Sequence, residues 1–189
     1  MSSAAKTLFT VDEFLVHTEK LEGRWELYAG DAVAMAPERV GHLRVKRGAF
    51  VALTAAVARA NVRCEVFPAG ATVRIDTRSA FEPDVLVRCS RAQLPNDALE
   101  TPDPLIVVEV VSPSTATRDR TLKVEGYFSV PTIIHYLIVE PEVRKIVHFR
   151  RDDDGRLRTR IYGEGIIHLD PPGIELPVAE VFGPAADEE

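Results

Sequence analysis

Cysteine is scarce in this chain: two residues, Cys64 and Cys89, in 189. Two thiols make neither a multi-bridge disulfide framework nor a zinc site, and the expectation for them is a reduced pair in a cytosolic protein. Long apolar runs are also missing, and none approaches the roughly 20 residues that a helix needs to cross a bilayer. Met1-Ser2-Ser3-Ala4-Ala5-Lys6 leads into a polar helix instead of a signal-peptide apolar core, so the expected location is cytoplasmic, with no membrane partner. There is no Gly-rich phosphate loop of the Walker or dinucleotide type. Without a Gly-x-Ser-x-Gly elbow, the Ser, His and Asp residues have no esterase frame. Positive charge is in deficit, with a net charge of −6. That argues against non-specific coating of nucleic acid, which rests on cations neutralising phosphates. It leaves a nuclease open, because bound metal ions supply charge locally. Basic residues cluster at Arg39, Arg44, Lys46 and Arg47, and again at Arg118, Arg120 and Lys123. Each cluster reads as a solvated helix face or as a phosphate contact.

What is present suits one soluble domain: 46% hydrophobic residues, 28% charged, and a length sufficient for a single sizeable core. Thr10-Val11-Asp12-Glu13 fits a capping box that starts a short helix to about Lys20, with Phe14 and Leu15 on its buried side. Residues 24–28 and 32–35 alternate around Gly30-Asp31, which predicts a β-hairpin. His42 to Arg59 is alanine-rich, with Phe50, Leu53, Thr54 and Val57 at helical spacing, and predicts the longest helix. Short β runs follow at 62–67, 71–75, 83–87 and 105–111. A helix to about Phe128, capped by Ser114, Thr115 or Thr117, leads to a strand at 133–139 and further strands at 145–151 and 156–162. Residues 166–169 and 174–176 read as short edge strands. The order predicts an α/β domain with a central mixed sheet and flanking helices. The strands at Leu105 and Ile133, joined through a helix, should be parallel. The expected divisions are a tail over 1–9, one domain over 10–182 and an acidic tail over 183–189.

One residue breaks the pattern. Glu109 interrupts Leu105-Ile106-Val107-Val108-Glu109-Val110-Val111, a run that otherwise reads as a strand buried on both faces. An unpaired buried carboxylate costs several kcal/mol, so it protonates, finds a cation or binds a metal. Pro83-Asp84-Val85-Leu86-Val87 is a second apolar strand opened by another acid, and Lys123 lies on the following helix. If the two strands are neighbours, both carboxylates reach one point near the strand ends. Hard oxygen ligands of this kind suit Mg²⁺ better than zinc. The structural alternatives are that Asp84 caps a turn and that Glu109 pairs with a buried Arg or Lys. Glu26 is a third candidate acid or a hairpin surface residue. His42 is a phosphate or metal-water contact or a polar helix end. Tyr127, one turn beyond Lys123, packs in the core or bonds the site. Ser114 and Thr115 offer backbone N–H groups to a phosphate or simply cap the helix.

These blocks resemble a known family. Pro83-Asp84, then Glu109-Val110-Val111-Ser112-Pro113-Ser114-Thr115, Asp119, Lys123, Tyr127 and Ile138-Val139-Glu140-Pro141 look like the Uma-type "putative restriction endonuclease" family of the PD-(D/E)XK nuclease superfamily. Glu26-Leu27-Tyr28-Ala29-Gly30-Asp31 and His42 extend the likeness upstream, so that it covers about Thr10 to Phe182. The resemblance implies a single-domain restriction-endonuclease-like fold with added N-terminal and C-terminal β-hairpins. It implies a DNA endonuclease in which Asp84 and Glu109 hold Mg²⁺, or Mn²⁺, that activates a water for attack on a phosphodiester. Asp84, Glu109 and Lys123 are then catalytic, with Glu26, His42 and Tyr127 in support and Ser114, Thr115 and Arg118 as phosphate contacts. The chain departs from the superfamily pattern at Val111, which stands in the usual lysine slot. Lys123 matches the position to which the lysine moves in Uma-type proteins. The likeness also implies a homodimer. The alternative is a nuclease-fold module that cuts weakly or not at all and binds nucleic acid or a protein partner.

Overall fold

The computed structural model describes residues 8–111 and 117–183, with the side chains of 117–120 not described. Helix α1 (Val11–Thr18) begins at the expected capping box: Thr10 Oγ1 accepts from Glu13 N–H, and Glu13 Oε2 accepts from Thr10 N–H at 2.8 Å. It buries Val11 and Phe14 against Leu27 and Ala80. Strands β1 (Trp25–Tyr28) and β2 (Asp31–Ala34) form the hairpin read from the sequence. Ala29 and Gly30 turn it with φ of 48° and 92°, the positive pair that a tight hairpin turn needs. The sequence marked this turn through its glycine.

Helix α2 (Val40–Ala60) is the longest and lies over one face of the main sheet, burying Ala49, Ala52, Leu53 and Ala56. It starts two residues before the expected His42, which therefore sits inside its first turn. The main sheet has six strands, in the order β10, β9, β8, β7, β6, β3. In chain order these are β3 (Glu65–Pro68), β6 (Val85–Arg88), β7 (Pro104–Val110), β8 (His135–Glu140), β9 (Lys145–Arg151) and β10 (Leu157–Tyr162). Among the described strands only β7 and β8 pair in parallel, joined through α3 (Thr117–Ser129), as the strand–helix–strand pattern predicted. Two very short strands, β4 (Val73–Arg74) and β5 (Ala80–Phe81), extend the N-terminal hairpin into a four-stranded sheet. Two residues carry no period, so β5 was not legible.

The C-terminal strands β11 (Ile166–Leu169) and β12 (Ile174–Pro177) pair with each other as the expected C-terminal β-hairpin, set apart from the main sheet. Their apolar side chains join α2 and the unanticipated short helix α4 (Val178–Phe182) in the core on one face. On the opposite face, α3 and the small sheet cover a second core built on Phe81, Leu86, Val107, Tyr127 and Tyr136.

The reading of the cysteines is corrected by the strand register. Glu65 lies opposite Arg88 in the antiparallel β3–β6 pair, so the next residues outward, Cys64 and Cys89, face each other. They form a disulfide, with their Cα atoms 4.1 Å apart. Counting cysteines and reasoning from compartment missed what cross-strand position makes possible.

Candidate active site

Asp84 stands one residue before β6, and the ladder continues through it. Its N–H donates to Val108 O at 2.9 Å, and its Oδ2 accepts the Val110 N–H at 2.6 Å. Val85 pairs with Val108, so Asp84 lies directly across from Glu109 and both carboxylates leave the sheet on the α3 face. Asp84 does cap backbone, as the structural alternative had it, but it caps the neighbouring strand and not a turn. That bond occupies one carboxylate oxygen and leaves Oδ1 for other work.

Helix α3 supplies the next two groups. Lys123 and Tyr127 are one turn apart and point at the same atom: Lys123 Nζ is 2.8 Å and Tyr127 OH 2.6 Å from Glu109 Oε1. The helix lies close against Phe81 of β5, in the small sheet, because residue 126 is glycine. A Cβ there would stand 2.5 Å from Phe81 Cε2. Lys123 also donates to Glu26 Oε1 at 3.0 Å. Glu26 is fixed in turn by Tyr28 OH on its Oε2, at 2.7 Å, and by the Glu82 N–H on its Oε1, at 2.9 Å. Lys123 is 7% exposed and faces into the protein, away from bulk solvent. Glu109 therefore pairs with a buried lysine, which the structural alternative also foresaw. The convergence of Asp84, Glu26 and Tyr127 on that pair goes further.

Burial pushes the Glu109 carboxyl up to about 7; Lys123 opposes the rise, while Asp84 and Glu26 add to it. Burial alone would lower Lys123, but Glu109 and Glu26 outweigh it and hold the ammonium charged. Burial, then Glu109 and Glu26, raise Tyr127 well above its ordinary value, so its hydroxyl stays protonated and donates.

A second layer was not legible in the sequence. Arg24 donates through Nε to Glu82 and through Nη1 to Glu38 Oε1, at 2.9 Å. Its Nη2 lies 3.7 Å from Asp84 Oδ1 and is buried without a hydrogen-bond partner among the described residues. Lys46 Nζ contacts both Glu38 Oε1 and Asp84 Oδ1, the latter at 2.5 Å. Lys46 borders the apolar stripe Ala49, Leu53 and Ala56 of α2, a placement that a helical wheel signals. The Arg24–Glu82 pair spans 58 residues and has no local signal. Of the other candidates, His42 stands one turn before Lys46 and its ring makes no hydrogen bond to the cluster. Ser114 and Thr115 lie outside the described residues, as does the Arg118 side chain.

With every group ionised, Glu26, Glu38, Glu82, Asp84 and Glu109 face Arg24, Lys46 and Lys123, which leaves two negative charges in excess among the described residues. The excess and the hard oxygens of Asp84 and Glu109 fit a divalent cation with oxygen preference. No group of three or more His, Cys, Asp or Glu among the described residues forms a ready-made cage, so such an ion would keep several waters. An open groove of about 620 Å³ elsewhere, lined by Glu65, Phe67, Gln93, Leu94 and Asn96, contains none of these acids. No described helix is long and apolar enough to cross a membrane.

The family whose pattern matches residues 11–179 is Uma2, described as "Putative restriction endonuclease". An uncharacterized protein of Synechocystis sp., sll1609, is 24% identical over 167 residues, which cover 87% of this chain and 93% of that protein. A crystal structure of a "putative nuclease belonging to DUF820" from Anabaena variabilis superposes with a TM-score of 0.72 at 15% identity. The match covers 92% of this chain and 97% of that one. At that identity the likeness concerns the fold.

Proposed function

This chain belongs to the Uma2 putative restriction endonuclease family, and from that premise we propose that it is a Mg²⁺- or Mn²⁺-dependent DNA endonuclease of the PD-(D/E)XK type. The observation that carries the reading is the placement of two buried carboxylates, Asp84 and Glu109, directly across adjacent strands, with Lys123 of the crossover helix on Glu109. Asp84 Oδ1 and Glu109 would hold the ion. When bound, it supplies Lewis-acid polarisation of the phosphodiester and a water acidified toward hydroxide.

The chain's own groups do the rest. The Val110 N–H and Tyr127 OH fix the two carboxylates in rotation, so that neither has to reorganise during the reaction. Lys123 stays protonated and stands where negative charge develops on a phosphate. Glu26, clamped by Tyr28 and the Glu82 N–H, keeps that ammonium in place. This supports Lys123 as the stand-in for the lysine that Val111 replaces. Two such sites on a homodimer would address two strands.

Incubation of duplex DNA with the protein and Mg²⁺ or Mn²⁺ tests the proposal, with Glu109→Ala as the control. Cleavage by the wild type and a loss of about 10³-fold or more in the variant are expected. Equal rates would overturn the assignment. One observation favours the rival, a non-cutting module: Lys46 already holds Asp84 Oδ1. The rival predicts salt-dependent binding of DNA or a protein that survives Asp84→Ala, with no metal-dependent cleavage.

A further inference from the structure

Lys46 has no part in the endonuclease mechanism, yet it touches the oxygen on which that mechanism depends. Asp84 Oδ2 is committed to the Val110 N–H at 2.6 Å. Oδ1 is therefore the oxygen that Asp84 has left for a divalent cation, and the Lys46 ammonium lies 2.5 Å from it. The Lys46 side chain is 11% exposed, so the contact is largely withdrawn from water, where ion pairs are weak. Lys46 also has a second partner within reach. Glu38 Oε1 already accepts from the same Nζ, and Glu38 is the more exposed carboxylate, at 20% against 3% for Asp84. The lysine stem is long and its ammonium is a point charge, so a small rotation releases Asp84 while keeping Glu38. Lys123 also bridges two carboxylates, but Glu109 and Glu26 are both buried, at 7% and 6%, so neither is the water-facing partner that Glu38 is.

We propose that Lys46 is a tethered cation that competes with the divalent metal for Asp84 Oδ1 and passes to Glu38 when the metal binds. The inference rests on the metal reading of Asp84 and Glu109. Lys46 is a positioning residue: it keeps the Asp84 carboxylate oriented and partly neutralised in the metal-free chain. Metal affinity is then lowered in proportion to the time Lys46 spends on Oδ1.

Calorimetric titration of MnCl₂ into the full-length protein tests the handover by binding alone, with no DNA present. Lys46→Met should tighten Mn²⁺ binding by about tenfold. Arg47→Met removes the same charge one residue further along, at an exposed position, and should change binding by about twofold or less. Glu38→Gln removes the receiving partner and should weaken binding, and this loss should vanish in the Lys46→Met background, because the two residues act as one unit. Lys46→Arg should return the affinity toward the wild-type value. Unchanged or weaker binding in Lys46→Met, equal tightening in Arg47→Met, or a Glu38→Gln loss of the same size in both backgrounds would each overturn the proposal. If Lys46→Met melts before it can be titrated, Glu38→Gln still decides, since unchanged affinity there rejects the handover. Asp84→Asn separates the layers. If it binds Mn²⁺ as well as the wild type, the metal reading itself fails. If it loses Mn²⁺ while Lys46→Met binds like the wild type, only the handover fails.

Discussion

On the α3 face of the central sheet, Asp84 and Glu109 are buried with Lys46 and Lys123 against them. On the α2 face, His135 and His148 are buried just as deeply and carry no charge at neutral pH. His135 Nε2 lies 2.9 Å from Pro171 O, which can only accept, so that nitrogen carries the proton. His135 Nδ1 is then the acceptor for His148 Nε2–H, also at 2.9 Å. The histidine pair is complete as it stands and pins the β11–β12 turn to the sheet. The acid cluster carries two charges beyond its cations. One face is satisfied by its own groups, and the other holds more acid than base among the described residues.

Removing Lys123 should make the sharpest break in this contrast. Lys123→Met leaves Glu109 and Glu26 buried without their shared cation, a loss of about 3–5 kcal/mol in urea denaturation. Saturating Mn²⁺ should restore part of it. A core truncation on the other face, Ile106→Ala, costs about 2–5 kcal/mol and should not respond to Mn²⁺. A matching metal response in both variants would erase the distinction.

Acid should find the histidine face. Burial, first, then the mutual repulsion of the rings and Arg150, pushes His135 down to about 3; burial and Arg150 push His148 down to about 4. A folded pKa below the unfolded value near 6.5 gives stability that is complete above pH 6.5 and fades as the pH falls toward 4 and 3. The loss is on the order of 2–4 kcal/mol. A urea series over that range, repeated on His135→Phe, measures it, and the acid limb should shrink in the variant. An unchanged limb would place the acid sensitivity elsewhere.

The disulfide belongs to the same face, where both cysteines pack against the aliphatic core. Its reduction opens a loop of 25 residues and should cost about 2–4 kcal/mol. Melting with and without dithiothreitol reads the cost directly, with no dependence on metal.

Glu109→Gln should produce the smallest change in stability, and it has the opposite sign. A carboxyl raised to about 7 favours the protonated form, so the wild type loses stability as the pH rises from about 4.5 through 7. The amide removes that loss. The metal-free variant should be about 1–3 kcal/mol more stable than the wild type at pH 8 and no more stable at pH 4.5, while losing DNA cleavage. A destabilised variant at pH 8 would mean that the Lys123 pair outweighs the burial of the charge.

How much of this could be read from the chain depended on the range of the interaction. The strands over Lys145–Arg151 and Ile166–Leu169 have the bounds expected of them, because alternation and flanking turns are local. Asp84, Glu109 and Lys123 were within reach because one strand alternation and one crossover helix relate them. Arg24, Glu38 and Glu82 were not, since their pairings depend on how the N-terminal hairpin lies against the start of β6. The cysteines fell between these cases. Their partnership follows from a register of 64 against 89, which becomes visible only once β3 and β6 are known to be neighbours.

The bond from the Val110 N–H to Asp84 Oδ2 ties the acid's aim to the alignment of two strands. A slip of one residue between β6 and β7 would turn Asp84 to the opposite side of the sheet, away from Glu109. The acids therefore meet only when the sheet has closed in its native alignment. A half-folded chain carries the same residues without placing them together, so the constellation exists only where β6 and β7 are joined in the native register.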